Sequence, residues 1–311
     1  MRMKGLVIRT TGNTYLVRAD NGQDVECLAK GRFRLQGIRS TNPIVVGDRV
    51  KMDYDPDTTS YITEILDRKN YIVRRASNLS KQAHILAANI DLTLLFVTIN
   101  YPDTTTVFLD RFLVTAEAYS VPVCLVFNKI DLYDDEDMEY IDALVHLYTT
   151  IGYQCQKMSL IDGTGVDELK ELIKNKITLL AGHSGVGKSH FINVVTGEET
   201  RKVGDISTYH QRGIHTTTFS EMIELEEGGF LIDTPGIKGF GTVNMTPEEV
   251  SHYFPEIFKF SKKCFYNNCM HINEPQCAVL EAVENHYISS SRYHSYLNIL
   301  EDVEGVDDKY R

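Results

Sequence analysis

The segment Gly182-His183-Ser184-Gly185-Val186-Gly187-Lys188-Ser189 matches the pattern G-x-x-x-x-G-K-[ST] in full. It follows the apolar run Ile177–Leu180 and opens a helical stretch at Lys188. Glycines in such a turn let several backbone N–H groups converge, and that nest with the helix N-terminus attracts phosphate oxygens. Lys188 would reach β- and γ-phosphates, and the Ser189 hydroxyl would hold Mg²⁺. A second segment, Asn128-Lys129-Ile130-Asp131, closes the apolar run Val121–Phe127. The carboxyl ends of strands are where open α/β sheets take ligands. A carboxylate at Asp131 could accept from both the ring N–H and the exocyclic amine of guanine. Adenine offers no such donor pair, and its entry would leave the carboxylate unpaired.

A third constellation, Cys264, Cys269, His271 and Cys277, reads C-x4-C-x-H-x5-C. Three thiolates and one imidazole suit a closed tetrahedral Zn²⁺ site of structural type. A disulfide with spare thiols, or simply buried cysteines, would fit the same residues. Six cysteines in 311 residues are too few for a disulfide scaffold. Cys27, Cys124 and Cys155 lie in apolar β-like stretches and read as core.

These residues need a scaffold, and the chain supplies three kinds of rhythm. Residues 1–68 carry five short β-rich runs: Gly5–Arg9, Thr14–Arg18, Val25–Leu28, Arg49–Asp53 and Ser60–Leu66. Five strands in so short a length fit a small barrel, with an OB-fold as first choice. Residues 69–82 read as a polar linker. From 83 to 244 strands alternate with helices. The strands are Asp91–Thr98, Val121–Phe127, Gln154–Ser159, Ile177–Leu180, Glu221–Leu225 and Phe230–Ile232. The helices are Val107–Tyr119, Glu136–Thr150, Val166–Asn175 and one from Lys188. That pattern predicts a largely parallel sheet covered on both faces. Residues 245–311 read as helical around the cysteine cluster, with Thr246–Phe254, Cys277–Tyr287 and Ser289–Asn298 as helices and a fraying acidic tail from Glu301. The fold class is therefore multi-domain α/β.

The formal charge of −11 hides an asymmetry: residues 1–81 carry 15 Lys/Arg against 9 Asp/Glu, while the remainder is strongly acidic. A basic head suits an anionic partner such as nucleic acid, although a solvated surface would read the same way. Arg32, Arg34, Arg39 and Arg49 are the expected phosphate contacts. Apolar runs are too short for a membrane span, and the N-terminus lacks a signal-peptide core, so a cytoplasmic protein is expected.

The combination resembles the GTPases. Asn128-Lys129-Ile130-Asp131 resembles their guanine-specificity motif, and Asp233-Thr234-Pro235-Gly236 resembles their D-x-x-G motif. In that motif the Asp reaches Mg²⁺, usually through water, and the Gly N–H senses the γ-phosphate. Thr217, within His215-Thr216-Thr217-Thr218, resembles the switch threonine that ligates Mg²⁺. Ser159, in Met158-Ser159-Leu160, resembles the serine of the S-A motif, with Leu160 in place of Ala. The order is permuted. The base-reading motifs at 128 and 159 precede the phosphate loop at 182, the threonines at 217 and the D-x-x-G at 233.

With the basic barrel, Val45-Val46-Gly47-Asp48-Arg49-Val50, Gly213-Ile214-His215 and the Cys/His cluster, the chain resembles the ribosome small-subunit-dependent GTPase A (RsgA, YjeQ-like) family. In that family Gly-Arg-His is common where Ile214 stands here. The resemblance implies a circularly permuted GTPase that binds GTP and GDP with Mg²⁺. It also implies late-stage assembly of the small ribosomal subunit, contact with its rRNA, and hydrolysis stimulated by that particle. A monomer is expected. Ile237, directly after the D-x-x-G segment, cannot orient water as a Gln there would. His215 is the candidate for that role, with Lys188 and Thr217 beside it. Packing or RNA contact would equally explain His215. An RNA-binding scaffold in which GTP only locks conformation is the rival reading.

Overall fold

The computed structural model describes residues 1–29, 43–75, 83–197, 221–233 and 245–308. Alternation drives the N-terminal part. In β1 (Arg2–Thr11), β2 (Thr14–Ala19), β3 (Asp24–Ala29), β4 (Arg49–Asp53) and β5 (Ser60–Ile65), every second side chain points into one core. Val7, Tyr15, Val17, Val25, Cys27, Val50, Met52 and Ile62 fill it. The strands close in the order β1-β2-β3-β5-β4, with β3 and β5 parallel and the other pairs antiparallel. This is the barrel the sequence predicts. Gly5 is required where β1 crosses β2, since a Cβ there would lie 2.6 Å from the Arg18 carbonyl oxygen.

The Val45–Val50 motif is a joint. Asp48 is fully buried and paired twice with Arg68, at 2.6 and 2.7 Å, and accepts from the Val45 N–H at 2.9 Å. Burial pushes the Asp48 carboxyl up, and Arg68 opposes the shift. Gly47 sits at φ +86°, where a Cβ would strike the Ala88 carbonyl.

Ala88 belongs to a two-stranded hairpin whose first strand falls within residues 69–82, which the sequence reads as a polar linker. Tyr71–Arg75 (β6) pairs antiparallel with Ala83–Ala88 (β7). Ile72 and Val73 are buried, and Asn70 is a buried staple rather than a linker residue. Its side chain bonds the Ile90 N–H and the Ile90 and Ser120 carbonyls. A polar residue buried with its hydrogen bonds satisfied looks like loop in sequence, which explains the miss.

The central sheet runs in the order β10-β9-β8-β11-β13-β12. Its strands are β8 (Leu92–Val97), β9 (Val123–Asn128), β10 (Gln154–Met158), β11 (Ile177–Ala181), β12 (Met222–Glu224) and β13 (Phe230–Asp233). All pairs are parallel except β12 with β13. Alternate residues face opposite layers. Leu95, Val97, Leu125 and Phe127 meet α1 (Thr106–Ala118) and α2 (Asp135–Ile151). Leu94, Phe96, Cys124 and Val126 meet α3 (Val166–Ile173) and α4 (Lys188–Thr196). Thr105 and Asp134 cap α1 and α2 through their side chains.

The barrel docks on the sheet's antiparallel edge. Arg18 reaches both Glu224 carboxylate oxygens, at 3.0 and 2.9 Å, and Arg9 bridges to Glu221. Leu6 and Ile8 share a core with Met222 and Ile232.

The C-terminal part is helical: α5 (Pro247–Val250), α6 (Pro255–Ser261), α7 (Ala278–Glu284) and α8 (Ser290–Asp308). Two expectations need correction. The predicted helix Thr246–Phe254 is α5 followed by a 3-10 turn at Ser251–Tyr253, because Pro255 restarts the chain as α6. The expected fraying from Glu301 does not hold, since α8 runs to Asp308. Val303, Ile299 and Leu300 bury its inner face, and α1 contributes Val114 to that same core. A buried ion triad fastens the join. Arg292 donates to Asp110 of α1 at 2.6 Å and to Glu256 of α6 at 2.6 and 3.1 Å.

Candidate functional site

The phosphate-loop segment stands between β11 and α4. Gly182, Gly185 and Gly187 take positive φ, at +129°, +85° and +106°. A Cβ at Gly182 would lie 2.5 Å from the Phe96 carbonyl oxygen, and one at Gly187 2.3 Å from the Asn128 amide nitrogen. Only glycine fits either position. His183 and Ser189 are half-buried and Ser184 is exposed, while Val186 anchors the loop in the core beneath. Lys188 folds back so that its Nζ donates to the Gly182 and His183 carbonyls, at 2.8 and 2.7 Å. Burial pulls its pKa down, partly offset by Asp233. Asp233, the last residue of β13, therefore lies within electrostatic reach of Lys188.

Asn128 ends β9 two strands away and still joins this loop. Its amide donates to the Val186 carbonyl at 2.7 Å, fully inside the protein. Lys129 follows in the left-handed region at φ +65°, and its Nζ donates to the Tyr101 carbonyl at 2.5 Å. Desolvation lowers the Lys129 pKa. Asp131 sits in the short helical turn Ile130–Leu132. The buried Ser159 hydroxyl donates to Asp131 Oδ1 at 2.6 Å. Ser159 Oγ also accepts from the N–H groups of Ile161 and Asp162. The ends of β10, β9, β8 and β11 thus form one continuous edge. Glycine N–H groups stand at one end and an oriented carboxylate at the other.

Two residues in this edge carry no motif signature. The Tyr133 hydroxyl accepts from the Ile99 N–H at 3.2 Å and donates toward the Asn128 carbonyl at 3.3 Å, tying the ends of β8 and β9 together. Phe108, in the first turn of α1, stacks on His183 with ring centroids 3.9 Å apart. Phe108 lies near a motif only in space, and Tyr133, two residues past Asp131, fits no motif pattern, so spacing along the chain marks neither.

His215, Thr217 and Gly236 lie outside the described residues, as do Arg32, Arg34 and Arg39. Arg49 is described and is held by Asp20 at 2.7 Å, so part of its charge is already engaged within the barrel.

The Cys/His residues do converge. The ligating atoms of Cys264, Cys269, His271 and Cys277 all lie within 4.8 Å of one another. His271 Nδ1 is 3.6 Å from Cys264 Sγ and 3.5 Å from Cys277 Sγ. Glu274 shapes the loop by accepting the N–H groups of Met270, Ile272 and Asn273. Tyr293 and Tyr296 of α8 fasten it through the His271 and Met270 carbonyls. Burial lowers the His271 pKa, favouring the neutral imidazole that ligates. Burial also pushes the Cys269 thiol up to about 12, so a thiolate there needs a cation beside it. The cluster can hold a metal ion with all four positions filled by protein.

A family model described as RsgA GTPase matches residues 65–243, and one described as RsgA N-terminal domain matches residues 4–62. The chain belongs to the RsgA GTPase family. A relative in Bacteroides thetaiotaomicron, small ribosomal subunit biogenesis GTPase RsgA 2, is 61% identical over 309 residues, covering 99% of each chain. The solved structure of YjeQ from Thermotoga maritima is 35% identical, with a TM-score of 0.76 over 98% of this chain and 99% of that one. YloQ, described as a circularly permuted GTPase, is 27% identical with a TM-score of 0.75, over 98% and 96% respectively. The two solved structures match this chain over its length, from barrel to C-terminal helices. The family also implies Mg²⁺ with the nucleotide.

Proposed function

We propose that this GTPase binds GTP along the edge formed by β10, β9, β8 and β11 and serves in the maturation of the small ribosomal subunit. The observation that carries the binding mode is the pair of bonds at the two ends of that edge. Ser159 aims Asp131 where a guanine would present its two N–H donors, and Asn128 fixes the glycine loop where phosphates would lie. Gly182, His183, Ser184, Gly185, Val186 and Gly187 supply backbone to the phosphates. Lys188 exchanges two carbonyl partners for phosphate oxygens. Ser189 and Thr217 would hold Mg²⁺, with Asp233 and Gly236 at the γ-phosphate end; the ion would neutralise charge on the β- and γ-oxygens. His215 is the residue assigned to water, and slow intrinsic hydrolysis follows from Ile237.

In this reading residues 1–68 are the RNA-binding barrel, 83–244 the nucleotide unit and 245–311 the metal-bearing unit. The four-ligand cluster takes one structural Zn²⁺, because three sulfurs and an imidazole suit that ion. The protein works as a cytoplasmic monomer on rRNA of the small subunit. Among the described residues no helix is long and apolar enough to cross a membrane.

Competition binding tests the site. Labelled GDP should be displaced by GTP and GDP and far less by ADP. Equal displacement by ADP would remove Asp131 from base recognition.

A further inference from the structure

Phe108 is outside every motif, yet its ring covers His183, the second residue of the phosphate loop, at 3.9 Å and an interplanar angle of 30°. The His183 carbonyl is one of the two acceptors that hold Lys188. Whatever fixes the His183 side chain therefore also limits the rotation of that peptide.

Phe108 itself is carried on a fixed seat. Thr105 caps α1 by accepting the Phe108 N–H at 3.3 Å. Two residues further on, Asp110 is locked by Arg292 of α8 at 2.6 Å and by the Tyr148 hydroxyl at 2.8 Å. Arg111 pairs with Asp302, also of α8. Leu109, Phe112 and Leu113 pack into the core under the sheet, while Val114 packs into the C-terminal core. A helix shared between two cores has little freedom to slide or rotate, so the ring at its N-terminal turn is a stable wall.

We propose that Phe108 is a positioning residue for the phosphate loop. It holds His183 so that the loop keeps its phosphate-ready backbone and Lys188 its aim, without touching the nucleotide. This deepens the nucleotide reading above and rests on it. The stack acts at the phosphate end of the edge, and Asp131 with Ser159 acts at the base end. Loss of the stack should therefore weaken phosphate recognition and leave base recognition intact.

The test compares the full-length protein with Phe108→Leu and Phe108→Tyr, measuring GDP and guanosine affinities by displacement of a fluorescent guanine nucleotide. Phe108→Leu should weaken GDP about three- to tenfold, the range expected for a lost aromatic pair. Guanosine affinity should not change. Phe108→Tyr keeps a ring and should restore GDP binding. In steady-state hydrolysis the Leu variant should lower kcat/KM, chiefly through KM. Equal weakening of GDP and guanosine would mark Phe108 as a general structural residue and overturn the proposal. Unchanged GDP affinity, or loss in the Tyr variant equal to that in the Leu variant, would overturn it as well. Wild-type protein that holds GDP no tighter than guanosine would instead defeat the reading of the glycine loop as a phosphate site, and this inference with it.

Discussion

Replacing Arg292 with Met should separate the C-terminal helices from α1. The guanidinium and Asp110 are completely buried, and Glu256 is 11% exposed. Met fills most of the space but leaves two carboxylates facing an apolar join. Removing one partner of a buried ion pair costs about 3–5 kcal/mol. For a cooperative unit of roughly 150–250 residues, each kcal/mol moves the melting temperature by about 2–4 °C. The expected fall is therefore about 6–20 °C. Its pH dependence has a definite sign. Burial holds the Asp110 carboxyl above its ordinary value of 3.8, and Arg292 opposes that rise. Without Arg292 the folded-state pKa climbs further. A carboxyl that binds a proton more readily when folded loses stability as pH rises from its unfolded to its folded pKa, and the loss is complete above the latter. The gap between Arg292→Met and wild type should be widest at neutral pH and narrow on acidification. Adding Asp110→Asn to the variant should recover part of the loss at neutral pH and flatten the profile. Thermal melts followed by circular dichroism across that pH range are the assay. A fall under about 2 °C, or a gap unchanged by pH, would refute the assignment of the triad as the fastening.

Three further outcomes follow from the site. Asp131→Asn should cost about 10- to 100-fold in GDP affinity, from lost charge-assisted bonds, and should favour xanthosine diphosphate, whose C2 carbonyl accepts from an amide; unchanged base preference in displacement assays would contradict it. A strong chelator should release one zinc per chain, counted by atomic absorption, and melt the α6–α8 unit. The free energy of binding a structural zinc, about 10–16 kcal/mol, exceeds what a small helical unit keeps in reserve; retained helicity after release would argue against a structural ion. His215→Ala should abolish particle-stimulated hydrolysis while GTP affinity stays at wild type, and full turnover in that variant would free His215 from the water-orienting role.

The two nucleotide motifs were legible because each is local: a few residues in a row carry the chemistry, and the apolar runs before Asn128 and Gly182 announce their strands. The parallel sheet was legible for the same reason, since Leu92–Val97 and Val123–Asn128 are buried on both faces. The Cys/His spacing foretold convergence that the structure brings within 4.8 Å. Long-range partnerships were hidden. Asp110 and Arg292 are 182 residues apart, and each alone reads as a solvated helix position. Asn70 reads as linker because its hydrogen-bond partners, Ile90 and Ser120, lie 20 and 50 residues away. Helix α6 carries no sequence expectation, and Pro255 opens it as its first residue, with a fixed φ that suits a helix start. Phe108 meets the phosphate loop only through the fold, and the Tyr133 hydroxyl meets its partner at Ile99, on the neighbouring strand end, in the same way.

GTP turnover by the purified protein, alone and with small subunits, large subunits or free RNA, tests the central claim most directly. Slow hydrolysis alone and strong stimulation by small subunits only is the predicted result. Stimulation by large subunits or free RNA to the same extent, or by none of them, would contradict a GTPase that acts on the small ribosomal subunit.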